Sequence, residues 1–245
     1  MSQTIRLDRL LANLGYGSRQ GVQALVRRGA VALDGARVVK ADMRVPLTPD
    51  LALRLAVSGA PLDPLPGAAT VMLNKPVGVT CSHRESGPLV YDLLPGRWRD
   101  RKPSVSTVGR LDKDTSGLLL LTDDGALLHR VTSPRQHVPK RYLAILARPL
   151  EGGEAACFAS GEMMLDGEDK PLAPAELESL SPTRARVTIR EGRYHQVRRM
   201  FAAVGNHVEA LHRDRVGGLA LPEDLEPGHW RLMSAAEIAA IFAQL

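Results

Sequence analysis

The chain has 245 residues, 44% of them hydrophobic and 24% charged, with a net charge of +5 and a sequence pI near 9.5. That suits one large or two smaller domains with a real core, and it excludes a disordered or fibrous chain. No apolar run approaches the ~18 residues that span a bilayer, residues 1–9 carry charge and lack the apolar stretch of a secretory leader, and Cys81 and Cys157 have no disulfide or metal spacing.

Residues 6–57 read as a small unit. Leu7, Leu10, Leu11 and Leu14 keep helical spacing, and Gly15 and Gly17 end that helix. Ser18 is placed to cap a second helix, whose apolar stripe is Val22, Leu25 and Val26. Arg19, Arg27 and Arg28 fall largely off that stripe. Asp34-Gly35, between Val31 to Leu33 and Val38-Val39, predicts a hairpin turn. Residues 58–69 are rich in Gly, Pro and Ala and carry little periodicity. The domain limits expected are therefore 1–60, a linker at 61–69, and 70–245.

Beyond the linker, strands are expected at Val71 to Leu73, Leu118 to Thr122, Tyr142 to Leu146 and Ala185 to Ile189. Helices are expected near 125–132, 151–160, 195–204 and 234–243. Strands and helices mix without regular β-α-β spacing, which favours an α+β fold over a doubly wound sheet. There is no internal repeat. Basic residues cluster at Arg19 to Arg28, Arg97 to Arg101, Lys140-Arg141 and Arg184 to Arg199, a distribution that suits a polyanionic partner. Aromatic residues are only 4%, too few for a surface that stacks many successive bases.

The most informative stretch runs from Val108 to Gly125 (VGRLDKDTSGLLLLTDDG). It is a polar loop entering a buried strand. Asp112 lies between Arg110 and Lys113, and nearby cations favour the charged form of a carboxylate. Such a group at a strand end can act as nucleophile or base, and a loop salt bridge is the plainer alternative for these residues alone. Asp123-Asp124 could suggest a glycosidase, but adjacent strand residues point to opposite faces, and a turn is the better reading.

Taken whole, the stretch resembles the signature G-R-L-D-x-D-[TS]-[TS]-G-L-L-[LV]-[LM]-T-[DN]-D-G of the pseudouridine synthases that act on small- and large-subunit rRNA. Leu73-Asn74-Lys75-Pro76-Val77-Gly78, Lys140-Arg141-Tyr142 and Glu191 to Phe201 (EGRYHQVRRMF) are similar to further motifs of that family, and Leu211-His212-Arg213 through Gly217-Gly218 completes the set. The N-terminal unit resembles the S4 RNA-binding domain in Arg6-Leu7-Asp8, Ser18-Arg19, Arg27 to Val31 and Asp34-Gly35. The resemblance covers nearly the whole chain. It implies an S4-like domain followed by a catalytic domain with a mixed, mainly antiparallel sheet.

It also implies roles. Asp112 maps onto the catalytic aspartate, Tyr142 onto the tyrosine that packs against the target base, and Arg198 onto the basic residue that pairs with that aspartate. Helical spacing is compatible with the last assignment, since His195, Arg198, Arg199 and Ala202 lie opposite the stripe Val197, Met200, Phe201 and Val204. RNA contacts are expected from Arg19, Arg27, Arg28, Lys75, Arg110, Lys140, Arg193, His195 and Arg199, with Lys75 and Arg110 also assigned to holding the active-site loop.

Isomerising uridine involves no net redox change and no lost group, so no cofactor and no metal are expected. The resemblance favours a uridine of 16S rRNA in an assembling small subunit, handled by a cytoplasmic monomer away from membranes. The alternatives are a 23S rRNA target, a non-catalytic RNA-binding assembly factor and, more weakly, a transfer RNA modifier.

Overall fold

The computed structural model describes residues 3–243. The two outermost residues at each end, which the limits 1–60 and 70–245 include, lie outside the described residues. The chain divides into two compact units. The first comprises the residues up to Thr70 together with Leu94–Thr107 and Leu121–Leu128, and the second comprises Val71–Leu93, Val108–Leu120 and the chain from His129 onward.

In the first unit β1 (Thr4–Arg6) leads into α1 (Leu7–Asn13) and α2 (Arg19–Arg27), followed by β2 (Val31–Leu33), β3 (Ala36–Arg37), β4 (Arg44–Pro46), α3 (Leu51–Arg54), β5 (Leu55–Val57) and β6 (Ala60–Pro61). β1 pairs with β4, and the other strands form a sheet in the order β3-β2-β5-β6. Leu7, Leu10, Leu11 and Leu14 are fully buried, as their spacing predicts, and they pack with Val22, Val26 and Leu55 in one core. The Ser18 side chain accepts a hydrogen bond from the Gly21 amide at 3.1 Å and so caps α2. Asp34 and Gly35 take φ of 52° and 77°, the left-handed pair that a tight hairpin requires.

The Gly/Pro-rich stretch is held more firmly than a linker. Ala60–Pro61 extends the sheet, Leu62 is buried, and the Asp63 carboxylate receives Arg97 Nε and Nη2 at 2.7 and 2.6 Å. Arg101 Nη2 donates to the Pro64 carbonyl at 2.9 Å. The partners lie more than 30 residues away in sequence, which is why no local pattern reveals them.

The remaining elements are β7 (Thr70–Lys75), β8 (Ser106–Thr107), β9 (Thr115–Thr122), α4 (Gly125–Thr132), β10 (Lys140–Leu146), α5 (Glu154–Ala159), β11 (Glu176–Ser181), β12 (Arg184–Ile189), α6 (Gln196–Ala203), β13 (Val208–Val216), β14 (Leu219–Ala220), β15 (Trp230–Leu232) and α7 (Ala235–Ala240). A nine-stranded sheet has the order β11-β12-β10-β13-β9-β7-β15, with β14 on β13 and β8 on β9. It is mostly antiparallel, and β13 runs parallel to β9. This is the α+β arrangement expected. Strand β9 is buried almost throughout, as its run of four leucines predicts.

Gly117 sits on β9 opposite Arg213, with φ of 104°, and a Cβ there would lie 2.2 Å from the Arg213 carbonyl oxygen. Only glycine lets the two backbones approach this closely. At the end of β9, Asp123 accepts the Ala69 amide at 2.8 Å and Arg101 Nη2 at 2.7 Å, while Asp124 accepts the Ala126 amide at 2.9 Å to start α4. The two carboxylates therefore serve a turn and a buried ion pair.

Candidate active site

The site is built on the loop that joins β8 to β9. Lys75, at the end of β7, is fully buried, and its ammonium donates to the carbonyls of Thr115 at 2.8 Å, Asp112 at 3.0 Å and Pro76 at 3.0 Å. The Gly78 amide donates to the Lys113 carbonyl at 2.7 Å, and the Thr115 amide to the Asp112 carbonyl at 3.1 Å. The backbone that carries Asp112 is thus fixed from beneath while its carboxylate stays about 30% exposed. Burial pushes the Lys75 pKa below its ordinary value, and the charges of Cys81, Asp112 and Asp114 pull it back up. Lys75 holds the loop, as expected, but its burial removes it from the set of RNA contacts.

Asp112 faces a cavity of about 650 Å³, lined also by Lys140, Tyr142, Tyr194, His195 and Arg213. Lys140 and Tyr142 stand two residues apart on β10 and share a face. Tyr142 is opposite Arg213 in the β10–β13 register. Arg213 is 3% exposed, donates through Nε to the Leu118 carbonyl at 2.8 Å, and lies 6.0 Å from the centre of the Tyr142 ring. The Lys140 ammonium donates to the Val138 carbonyl at 2.9 Å. Burial first, and the Arg213 charge second, bring its pKa down to about 8.

His195 takes a left-handed conformation, φ 48°, just before α6. That turn brings its Nε2 to 3.3 Å from Asp112 Oδ1. Its ring stacks on Tyr194, with centres 3.9 Å apart and planes 15° apart, and Tyr194 is 75% exposed.

Arg198 is placed differently from the expectation. Its guanidinium meets the Asp114 carboxylate at 2.9 Å and donates to the Val208 carbonyl at 2.7 Å, so its partner is Asp114 and not Asp112. Arg193, which also lines the cavity, and Arg199 carry ion pairs within the chain. Arg193 pairs with Glu168 and Glu191, each at 3.2 Å, and donates to the Lys170 carbonyl at 2.7 Å. Arg199 meets Glu168 at 2.8 Å and bonds the Asp166 carbonyl. Both clamp residues 166–171 to the start of α6, because Glu168 offers each of them an anionic partner.

Arg110 is exposed on the cavity wall, 3.8 Å from Glu85. Arg27 and Arg28 are exposed at the end of α2, and Arg19 leans on the buried Asp8 at 3.3 Å. The expected site residues Asp112, Tyr142, Lys140 and His195 thus come together. Arg213, Tyr194 and Asp114 were not singled out as site residues, although all three lie within the motifs read from the sequence.

A profile of the RNA pseudouridylate synthase family matches residues 69–203, and one of the S4 domain matches residues 5–48. The chain belongs to the RNA pseudouridylate synthase family. It is 44% identical to ribosomal small subunit pseudouridine synthase A of Yersinia pestis over 98% of this chain and 99% of that one. The protein of the same name from Escherichia coli (strain K12) is 43% identical over 97% of this chain and 100% of that one. A solved structure described as a pseudouridylate synthase superposes with a TM-score of 0.67 at 38% identity, covering 97% of this chain and 99% of that one. Among the described residues no helix is long and apolar enough to cross a membrane, and no group of three or more His, Cys, Asp or Glu is placed to hold a metal ion.

Proposed function

We propose that this protein isomerises a uridine of 16S rRNA to pseudouridine, acting as a monomer on the assembling small subunit. The observation that carries the reading is the placement of Asp112 on a rigid loop at the mouth of a 650 Å³ cavity lined by Tyr142, Lys140 and Arg213. The small-subunit synthases that match over the full chain support the choice of rRNA.

The reaction breaks the N1–C1′ bond, turns the uracil while it is held, and joins C5 to C1′. The C5 proton leaves and N1 gains a proton, so atoms and electrons balance with no outside reagent. The Asp112 carboxylate is the group that acts at the ribose–uracil centre, as nucleophile or base. His195 Nε2 orients it from the side.

Once N1–C1′ has broken, the uracil carries the electron pair, with negative charge shared by N1, O2 and O4. Lys140, half-buried, and Arg213, buried, are the cations positioned to stabilise that charge. The Tyr142 ring gives the base a flat wall on which to turn. The target must leave its stack to enter, at a cost of roughly a few kcal/mol that is least where the RNA is already unpaired.

The test is tritium release from uracil C5 in labelled rRNA, because forming the new bond expels that hydrogen. Wild type is expected to release tritium from 16S rRNA in small-subunit particles, and Asp112→Asn to release none. Release by both would identify another residue as the reacting group. Release only from 23S rRNA would move the target, and release from neither would leave an RNA-binding protein.

A further inference from the structure

The basic cluster at Arg97 to Arg101 has no part in the site around Asp112. It belongs to the first unit, on a short 3-10 helix, Gly96–Asp100. Two of its arginines are anchors. Arg97 is held by Asp63 at 2.6 Å and lies 5.3 Å above the Tyr16 ring. Arg101, its side chain 1% exposed, pairs with the buried Asp123 at 2.7 Å. The segment is also pinned through its backbone, since the Lys102 amide donates to the Asn13 carbonyl at 2.7 Å. Gly15 passes so close that a Cβ there would lie 2.0 Å from the Arg97 carbonyl oxygen.

Arg99 and the following Lys102 are exposed, and they line a cavity of about 660 Å³ together with Arg9, Arg19 and the N-terminal end of α2. Asp100 is the acidic residue on this wall, and Asp8 draws Arg19 partly away. Arg101 also lines the cavity, and its Nε and Nη1 are buried without a protein hydrogen-bond partner. Unmet donors on a buried guanidinium call for an acceptor. The amides at the start of a nine-residue helix favour an anion at the same place. A second cavity of about 340 Å³ shares Arg9 and Asn13 with the first and adds Arg6 and Arg44.

We propose that residues 96–102 form the second wall of a cleft that grips an RNA phosphodiester backbone, in line with the Arg6, Arg9 and Arg44 surface. This rests on RNA being the substrate. A track of cations over two adjoining cavities fits a linear polyanion better than a single small anion. The cleft therefore contributes affinity and register, not base identity. It enlarges the RNA surface beyond residues 5–48, to a segment that folds with the S4 domain but lies far from it in sequence.

The test uses the full-length chain and a 16S rRNA fragment, with affinity measured as a function of salt. Each phosphate contact adds about 0.7–0.9 to the slope of log K against log salt. Arg99→Gln with Lys102→Gln is expected to flatten the slope by about 1.5. Tritium release at saturating RNA should be unchanged. Lys102→Glu, a single exposed change, should weaken binding in the same direction. An unchanged slope in both variants overturns the proposal. So does an unchanged slope accompanied by loss of thermal stabilisation by inorganic phosphate, which would identify a small-anion site. If wild type releases no tritium from any rRNA, the assigned reaction fails, but the slope comparison, a pure binding measurement, still decides the cleft.

Discussion

His195 Nε2 stands 3.3 Å from Asp112 Oδ1, at a backbone turn with φ of 48° that a non-glycine residue adopts rarely. Extended backbone at this position would carry the ring away from the loop, so the left-handed turn is what aims the imidazole at the carboxylate. Arg198, one turn further along, reaches Asp114 instead. On the proposed chemistry, orientation of the Asp112 carboxylate therefore falls to His195.

Misplacing a reacting group by about 1 Å can cost about a hundred-fold in rate, so His195→Ala, which removes the side chain beside the Asp112 carboxylate, should lower kcat by about ten- to a hundred-fold. KM should change little, because Asp112 is not a general RNA contact. His195→Gln, which can offer a side-chain N–H, should recover part of the loss. Steady-state tritium release separates kcat from KM. A change confined to KM would return His195 to the RNA-contact role that its motif first suggested.

The long G-R-L-D motif made the Asp112 loop legible because its glycines, charges and leucine run are consecutive. The partner of Arg198 was not legible. Helical spacing tells which face a residue occupies, but it does not distinguish two aspartates two positions apart in a tight loop. The ion pairs of Arg193 and Arg199 were not legible for a related reason. Their partner Glu168 lies 25 and 31 residues away, in a stretch without periodic pattern. The fixed 61–69 stretch is the same case, since Asp63 and Pro64 are bound by Arg97 and Arg101. Local pattern carries local structure well, and paired charges across long separations poorly.

Lys75 supports the catalytic loop through carbonyls alone, so its removal should affect both stability and turnover. Lys75→Met keeps the volume of the stem but leaves the Asp112 and Thr115 carbonyls without their ammonium donor. An unsatisfied buried acceptor costs about 1–3 kcal/mol, partly offset by no longer burying a charge. The expected result is a lower urea midpoint with an unchanged m value, and a fall in kcat larger than any change in KM. Full activity in the variant would show that the loop keeps its shape without the ammonium.

Lys140 makes stability depend on pH in a definite direction. Its pKa is about 8 in the folded protein against 10.5 for the free side chain. Below pH 8 the group is charged in both states, and folding bears the full cost of burying it. Between about 8 and 10.5 the folded state has lost the proton that the unfolded state still holds, so stability rises with pH through that window. Lys140→Met should therefore be more stable than wild type at pH 7, by roughly 1–3 kcal/mol, and the difference should close by pH 10. The same variant should lose turnover, because a cation facing the uracil anion is gone. Urea midpoints of both proteins at several pH values, paired with tritium release at pH 7, check the two halves. A stability gap that does not vary with pH would mean that the ammonium is solvated.

Gly117 and Gly109 allow backbone geometry to be separated from packing. Both are left-handed, at φ of 104° and 74°, but a Cβ on Gly109 would meet nothing within 4 Å, whereas one on Gly117 would lie 2.2 Å from the Arg213 carbonyl oxygen. Gly109→Ala then carries only conformational strain, about 1–2 kcal/mol. Gly117→Ala adds a clash with backbone that cannot give way without parting β9 from β13, for a total of about 3–5 kcal/mol. Because β13 carries Arg213 at that register position, Gly117→Ala should also displace the guanidinium from Tyr142 and reduce kcat in whatever fraction stays folded. Thermal melts of the two variants give the comparison. Equal destabilisation would mean that the strands can part without penalty, and that the close approach at Gly117 does not set the position of Arg213.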